Sequence, residues 1–216
     1  MNDLALRQNI IDELVFDPSI DAANIGVAVE EGVVTLSGHV GSYAEKIAAE
    51  MAVKRVKGVR ALAETLEVRF QGHKRHADDE IAARALDIIE WDALLPNGAI
   101  GVKVQKGWVT LTGEVQWHFQ RVAAERAVMK LGGVVGVTNV LSIKPSASIP
   151  DVKKRIEGAL KRNADVEAER VEVAVLDGNV TLKGGVTGWR ERTAAERAAW
   201  SIPGVVSVTN NLAVRG

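Results

Sequence analysis

Apolar residues follow two alternating rhythms along this chain. Leu6, Ile10 and Leu14 stand four apart, then Val27 and Val29 stand two apart, as do Val34 and Leu36. A spacing of four draws one stripe down a helix, and a spacing of two draws one face of a strand. The same succession returns as Ile81, Ala85, Ile89 before Val102 and Val104, and as Val152, Ile156, Leu160 before Val173 and Val175. Asp3 and Ser148 are the predicted N-caps of the first and third of these helices, with Pro150 in the first turn of the latter. Gly32, Gly107 and Gly178 are placed to turn a hairpin, most plainly in Asp177-Gly178. A further helix is expected over Ala48-Ala49-Glu50, Ala123-Ala124-Glu125 and Ala194-Ala195-Glu196. A final strand points Leu62, Leu66 and Val68 inward, then Val137, Leu141 and Ile143, then Val208, Leu212 and Val214.

The repetition is literal in one phrase. It reads GVVTLSGHV from Gly32, GWVTLTGEV from Gly107 and GNVTLKGGV from Gly178, in copies 75 and 71 residues apart. Twenty residues after Gly38, Gly113 and Gly184 come Gly58, Gly133 and Gly204, each followed by Val. Equal internal spacing means homologous modules, not one large domain. The reading is an α+β chain of three tandem αββαβ modules over residues 1–70, 76–144 and 148–216, each a small three-stranded mixed sheet with two helices on one face. The linkers, 71–77 and 144–149, are short enough to hold the modules in a compact array. Gly38, Gly113 and Gly184 fall on the apolar side of their strand, so the Ala-rich helix is expected to lie close over them. The opposite sheet face carries Thr35, Thr110, Thr181, Lys183, Ser142 and Trp108.

Composition narrows the function classes. There is no Cys, which removes disulfides, thiolate catalysis and Cys-based metal sites. No export signal or membrane-spanning stretch is evident, so the expected location is cytoplasmic, with room for peripheral membrane contact. Counting Lys and Arg against Asp and Glu, the three modules carry −4, +1 and +2. That gradient lacks the basic face a nucleic-acid binder needs.

The repeated residues resemble the BON (bacterial OsmY and nodulation) domain family, whose pattern is a VTLxGxV strand, an Ala-rich helix and GVxxVxNxLxV. The last part stands here from Gly133 to Leu141 and from Gly204 to Leu212, while the first copy departs from it between Gly58 and Glu64. The resemblance implies a non-enzymatic protein that binds phospholipid or acts at membranes, often under osmotic or other stress. Well-known members are periplasmic. One member joins such a domain to a second domain and senses potassium, so small-cation sensing is a further implied reading.

No nucleophile elbow, phosphate loop, zinc motif or calcium loop is present, and neither catalytic residues nor a cofactor is expected. Asp78-Asp79-Glu80 suits the positive end of a helix. His73-Lys74-Arg75-His76 is a solvated linker, with two histidines too loosely placed to hold a metal. Gly132-Gly133 lacks the Lys-Ser/Thr partner of a phosphate loop and reads as a helix C-cap.

Aromatic residues are the candidate binding groups. Tyr43, Trp117 and Trp189 lie within five residues after the strand Gly, and Lys46, Arg121 and Arg192 follow at one shared position. An aromatic ring beside a cation at the same loop of each module suits a lipid interface. The competing expectation is that the rings fill seams between modules. Trp91, Trp108 and Trp200 vary between copies and read as seam packing. The resulting expectation is a phospholipid- or membrane-contacting binding protein. The alternative is a self-association or protein-interaction module working through its open sheet faces.

Overall fold

The computed structural model describes residues 2–70, 72, 76–144, 151–163 and 166–214. Ser148, Pro150 and His73 to Arg75 lie outside these. Module 1 runs α1 (Asp3–Phe16), β1 (Ile25–Glu30), β2 (Val33–Val40), α2 (Tyr43–Arg55) and β3 (Ala61–Val68). Module 2 repeats this as α3 (Asp78–Trp91), β4 (Ile100–Gln105), β5 (Trp108–Val115), α4 (His118–Val128), with its last strand in two pieces, β6 (Gly136–Asn139) and β7 (Ser142–Ile143). Module 3 follows with α5 (Val152–Arg162), β8 (Val171–Leu176), β9 (Asn179–Val186), α6 (Trp189–Trp200) and β10 (Ser207–Val214). In each sheet the second strand is central, antiparallel to the first and parallel to the last.

The helical stripes and the central strands bury what they predict, while Val29, Val102, Val104 and Val175 of the first strands are half-buried against the cores. Leu6, Ile10 and Leu14 pack with Val34, Leu36 and Val40, and each module repeats this as its own core. Ala49, Ala124 and Ala195 are fully buried, so α2, α4 and α6 approach their sheets closely. Two consecutive residues with positive φ form each hairpin, Glu31-Gly32, Lys106-Gly107 and Asp177-Gly178, the geometry whose twist suits a two-residue loop.

Three expectations need correction. The cap of α1 is Asn2, whose side chain accepts from Leu4 N, and not Asp3. Asp3 instead reaches the first hairpin, where its carboxylate accepts from Glu31 N at 2.8 Å and Gly32 N at 3.2 Å. Asp78 does the same in module 2, accepting from Lys106 N and Gly107 N at 2.7 and 2.8 Å. Second, Gly38, Gly113 and Gly184 do not face a helix. They are exposed, with φ of 110°, 121° and 125°. A Cβ there would overlap the carbonyl oxygen of Asn24, Ala99 or Arg170, just before the first strand. The positive φ turns this residue out of the inward alternation, so the backbone approach comes from the neighbouring strand. A helix does approach Gly133, where a Cβ would meet Ile81 of α3. Third, Trp91 lies in no seam, being 89% exposed, while Trp108 lies over Gly136 on its own open sheet face and donates to Thr138 Oγ1 at 2.8 Å.

Candidate functional site

The start of the second helix is where the modules meet. Counting five residues on from the strand glycine gives Tyr43, His118 and Trp189, the first residues of α2, α4 and α6. Tyr43 packs against the core of module 2. His118 stacks on Trp200 of module 3, with ring centres 3.9 Å apart and planes 5° from parallel. Trp189 packs against the core of module 1 and donates its Nε1–H to Val59 O at 3.1 Å. Each module thus sends one ring into the next, and the third returns to the first. The modules close into a ring, with α2 and α6 in contact across the last seam.

Trp117 is one residue out of this register. It is the N-cap of α4, equivalent to Ser42 and Gly188, and its side chain is 36% exposed. With Trp200 and Ile202 it lines a recess of about 180 Å³ at the mouth of the second seam. The sequence does not single out His118, which is neither large nor charged. Its register relative to Gly113 was the signal that could have found it.

The three cations share a position and a task within their own modules. Lys46 Nζ donates to Leu66 O at 3.0 Å and pairs with Glu64 at 3.1 Å. Arg121 donates to Asn139 O at 3.1 Å, and Arg192 donates to Asn210 O at 2.6 Å and Leu212 O at 3.2 Å. Each ties the second helix to the last strand. Arg192 also lies over the Trp189 ring, 5.5 Å from its centre. A second tie, missed in the sequence, sits one residue earlier. The Glu45 carboxylate accepts from Gly41 N and Asp21 N, and the Glu191 carboxylate from Thr187 N and Glu167 N. Gln120 takes the same part for Gln116 N and Trp117 N.

Burial sets the electrostatics of the seams. Desolvation, helped by the positive charge of Arg121 and against the opposing pull of Glu196, brings the His118 imidazole down to about 4. Its Nδ1 is buried without a hydrogen-bond partner among the described residues. Burial also pushes the Tyr43 phenol up, with the Val137 main chain offsetting part of the effect. In module 1 Glu64 replaces the Asn of the other copies. Desolvation raises its carboxyl above the usual range, opposed by Lys46 and reinforced by Glu50. At Glu191 burial also pushes upward, but the donors from Thr187 and Glu167 outweigh it and hold the carboxyl below its ordinary value.

One apolar recess is open to solvent. Between α3, α4 and α6 lies a groove of about 860 Å³ whose lining includes Val122, Ala123, Ala127 and Trp200. Trp91, Leu94 and Phe119 stand along its lip at 89%, 57% and 52% exposure. Arg126, Lys130 and Arg197 line it as well. Among the described residues none of these three cations forms an ion pair, no group of acidic or His side chains is arranged to hold a metal, and no helix is long and apolar enough to cross a membrane.

Comparison with known proteins agrees with the threefold repeat. The BON domain matches over residues 2–69, 77–145 and 149–216. Osmotically-inducible protein Y of Escherichia coli (strain K12) is 32% identical over 152 residues, covering 67% of this chain and 74% of that protein. Among solved structures, CdsD, a structural protein of the type III secretion system of Chlamydia trachomatis, aligns over 98% of this chain and 92% of its own at 16% identity, with a TM-score of 0.26. The C-terminal domain of CdsD aligns over the whole of both chains at 14% identity with a TM-score of 0.27. Superposition that loose carries no argument about this protein. The family match spans nearly all of the chain in three consecutive copies, and on that ground the protein belongs to the BON domain family.

Proposed function

We propose that this protein is a non-enzymatic, osmotic-stress-associated binding protein that meets phospholipid surfaces at the edge formed by α3 and α4. The observation that carries the reading is the grouping of Trp91, Leu94 and Phe119, all largely exposed, beside Arg126 and Lys130, which form no ion pair among the described residues. Exposed aromatic residues at one edge suit the headgroup layer, and each nearby cation adds about 1 kcal/mol at an anionic surface. The stress association rests on likeness to Osmotically-inducible protein Y. The non-enzymatic reading rests on the family. The rings that begin α2, α4 and α6 serve closure between modules, which leaves lipid contact to the outer edge.

Co-sedimentation with phosphatidylglycerol vesicles tests this. The wild type should pellet, and a Trp91→Ser, Phe119→Ser double variant should stay in solution with its melting temperature nearly unchanged, since both side chains are surface-exposed. A wild type that stays in solution, or a double variant that pellets equally, defeats the reading. A second reading, self-association through open sheet faces, is favoured by Trp108 and Val33, which stand 48% and 41% exposed. Light scattering on the same samples measures it: a monomer at all concentrations removes it.

A further inference from the structure

The first helices of modules 2 and 3 turn oppositely charged rows to solvent. On α3 the row is Asp79, Ala83 and Asp87, with Glu90 three residues further on. On α5 it is Lys154, Gly158 and Arg162, with Lys161 beside the last. Both rows step by four, so each runs along one side of its helix. The ends of each row stand about 12 Å apart, eight residues at about 1.5 Å each, with a small residue between them. The six charged residues are exposed, and none forms an ion pair among the described residues. The carboxylate of α5, Glu157, is already taken by Lys153 at 3.8 Å. The fold itself does not require these charges. Module 1 has Leu4, Gln8 and Asp12 where module 2 has Asp79, Ala83 and Asp87. Each helix packs within its own module, α3 on α4 and β4, and α5 on α6 and β8.

We propose that the acidic row of α3 in one copy of this chain docks on the basic row of α5 in a second copy. The contact uses helix faces, not the open sheet faces, and does not depend on lipid. Charge complementarity names the occupant. Rows of equal length let Asp79 at one end, and Asp87 with Glu90 at the other, meet Lys154 and the Lys161-Arg162 pair together. Rows of like charge repel, which disfavours α3 against α3 and α5 against α5. The contact is therefore heterologous, and copies add head to tail, in line or around a closed ring. Exposed ion pairs are individually weak and screened by salt, so the association is reversible and belongs to low ionic strength.

Sedimentation velocity of the full chain tests this in about 0.01 M and about 1 M NaCl, where the screening length is about 30 Å and about 3 Å. At low salt the wild type should exceed monomer mass, increasingly with concentration, and at high salt it should return to monomer. A Lys154→Glu, Lys161→Glu, Arg162→Glu variant should be monomeric at low salt, and so should an Asp79→Lys, Asp87→Lys, Glu90→Lys variant. A chain carrying all six changes exchanges the two rows at the wild-type net charge and should associate again. Its control joins the α5 changes to Glu30→Lys, Glu67→Lys and Glu172→Lys, exposed positions away from α3 that also restore the net charge. That control should stay monomeric. A wild type that is monomeric at low salt overturns the proposal, and so does association that persists at high salt, which points to the sheet faces instead. Association of either triple variant or of the control to the wild-type extent, or a monomeric six-change chain, overturns it equally. The salt response of the wild type decides the matter even where a variant does not fold.

Discussion

The indole of Trp189 donates to the carbonyl of Val59, 130 residues earlier in the chain, at 3.1 Å. This bond joins the last module to the first and closes the ring that Tyr43 and His118 continue. Trp189 therefore bears on the stability of two modules at once. Trp189→Ala should destabilise the protein by about 3 kcal/mol, the low end for truncating a buried Trp because its ring is only partly enclosed. Denaturant titration should also show module 1 unfolding ahead of the rest. A single unshifted transition would mean that the seam is idle.

His118 gives the second seam a pH dependence. Its folded-state pKa of about 4 lies below the ordinary 6.5, so the unfolded chain takes up the proton first as pH falls. The contribution is fully present above about pH 6.5 and is lost progressively as pH falls through about 4, below which both states are protonated. At about 1.4 kcal/mol per unit, the loss reaches up to about 3 kcal/mol. His118→Phe keeps the stack without the proton and should flatten the stability profile across that window. An unchanged profile would show that the imidazole does not set it.

Gly113 should resist any side chain. It combines φ of 121° with a neighbouring Ala99 carbonyl in the space a Cβ would take. Gly113→Ala should lower stability by about 2–4 kcal/mol through backbone strain and displacement of that carbonyl. Gly98 also has positive φ but nothing near it, so Gly98→Ala should cost about 1 kcal/mol. Equal losses at the two positions would argue against the backbone contact.

Asp78 clamps its hairpin as Asp3 does in module 1. Removing the carboxylate leaves Lys106 N and Gly107 N without this acceptor, and Asp78→Ala should cost about 1–2 kcal/mol. Asp79→Ala, in the same helix turn but without a bond to the hairpin, serves as the control. If both variants melt alike, the helix dipole explains Asp78 and the clamp does not.

The modules were legible because repetition supplied three readings of each position. A hairpin predicted from Asp177-Gly178 could be checked against Glu31-Gly32 and Lys106-Gly107, and all three adopt it. The strand glycines were misplaced because alternation assumes every strand residue has extended dihedrals. Gly38 breaks that assumption with φ of 110° and leaves the inward face. Tyr43 and Trp189 stand where the seams are, and only the second seam departs from the expectation, by one residue. Aromatic size drew attention to Trp117, yet the position that meets the next module is held by His118. The groove was not legible at all. Trp91 and Phe119 come together within module 2, where α3 packs on α4, and the docking of α6 from module 3 adds Arg197 and Trp200 on the facing side.

Closure of the three modules into one ring is tested most directly by nuclear Overhauser effects in the labelled protein. A cross-peak between the Trp189 indole Hε1 and the Val59 methyl groups, together with slow exchange of that indole proton, is the predicted result. An Hε1 that exchanges as a free indole and shows no contact with Val59 would contradict the ring.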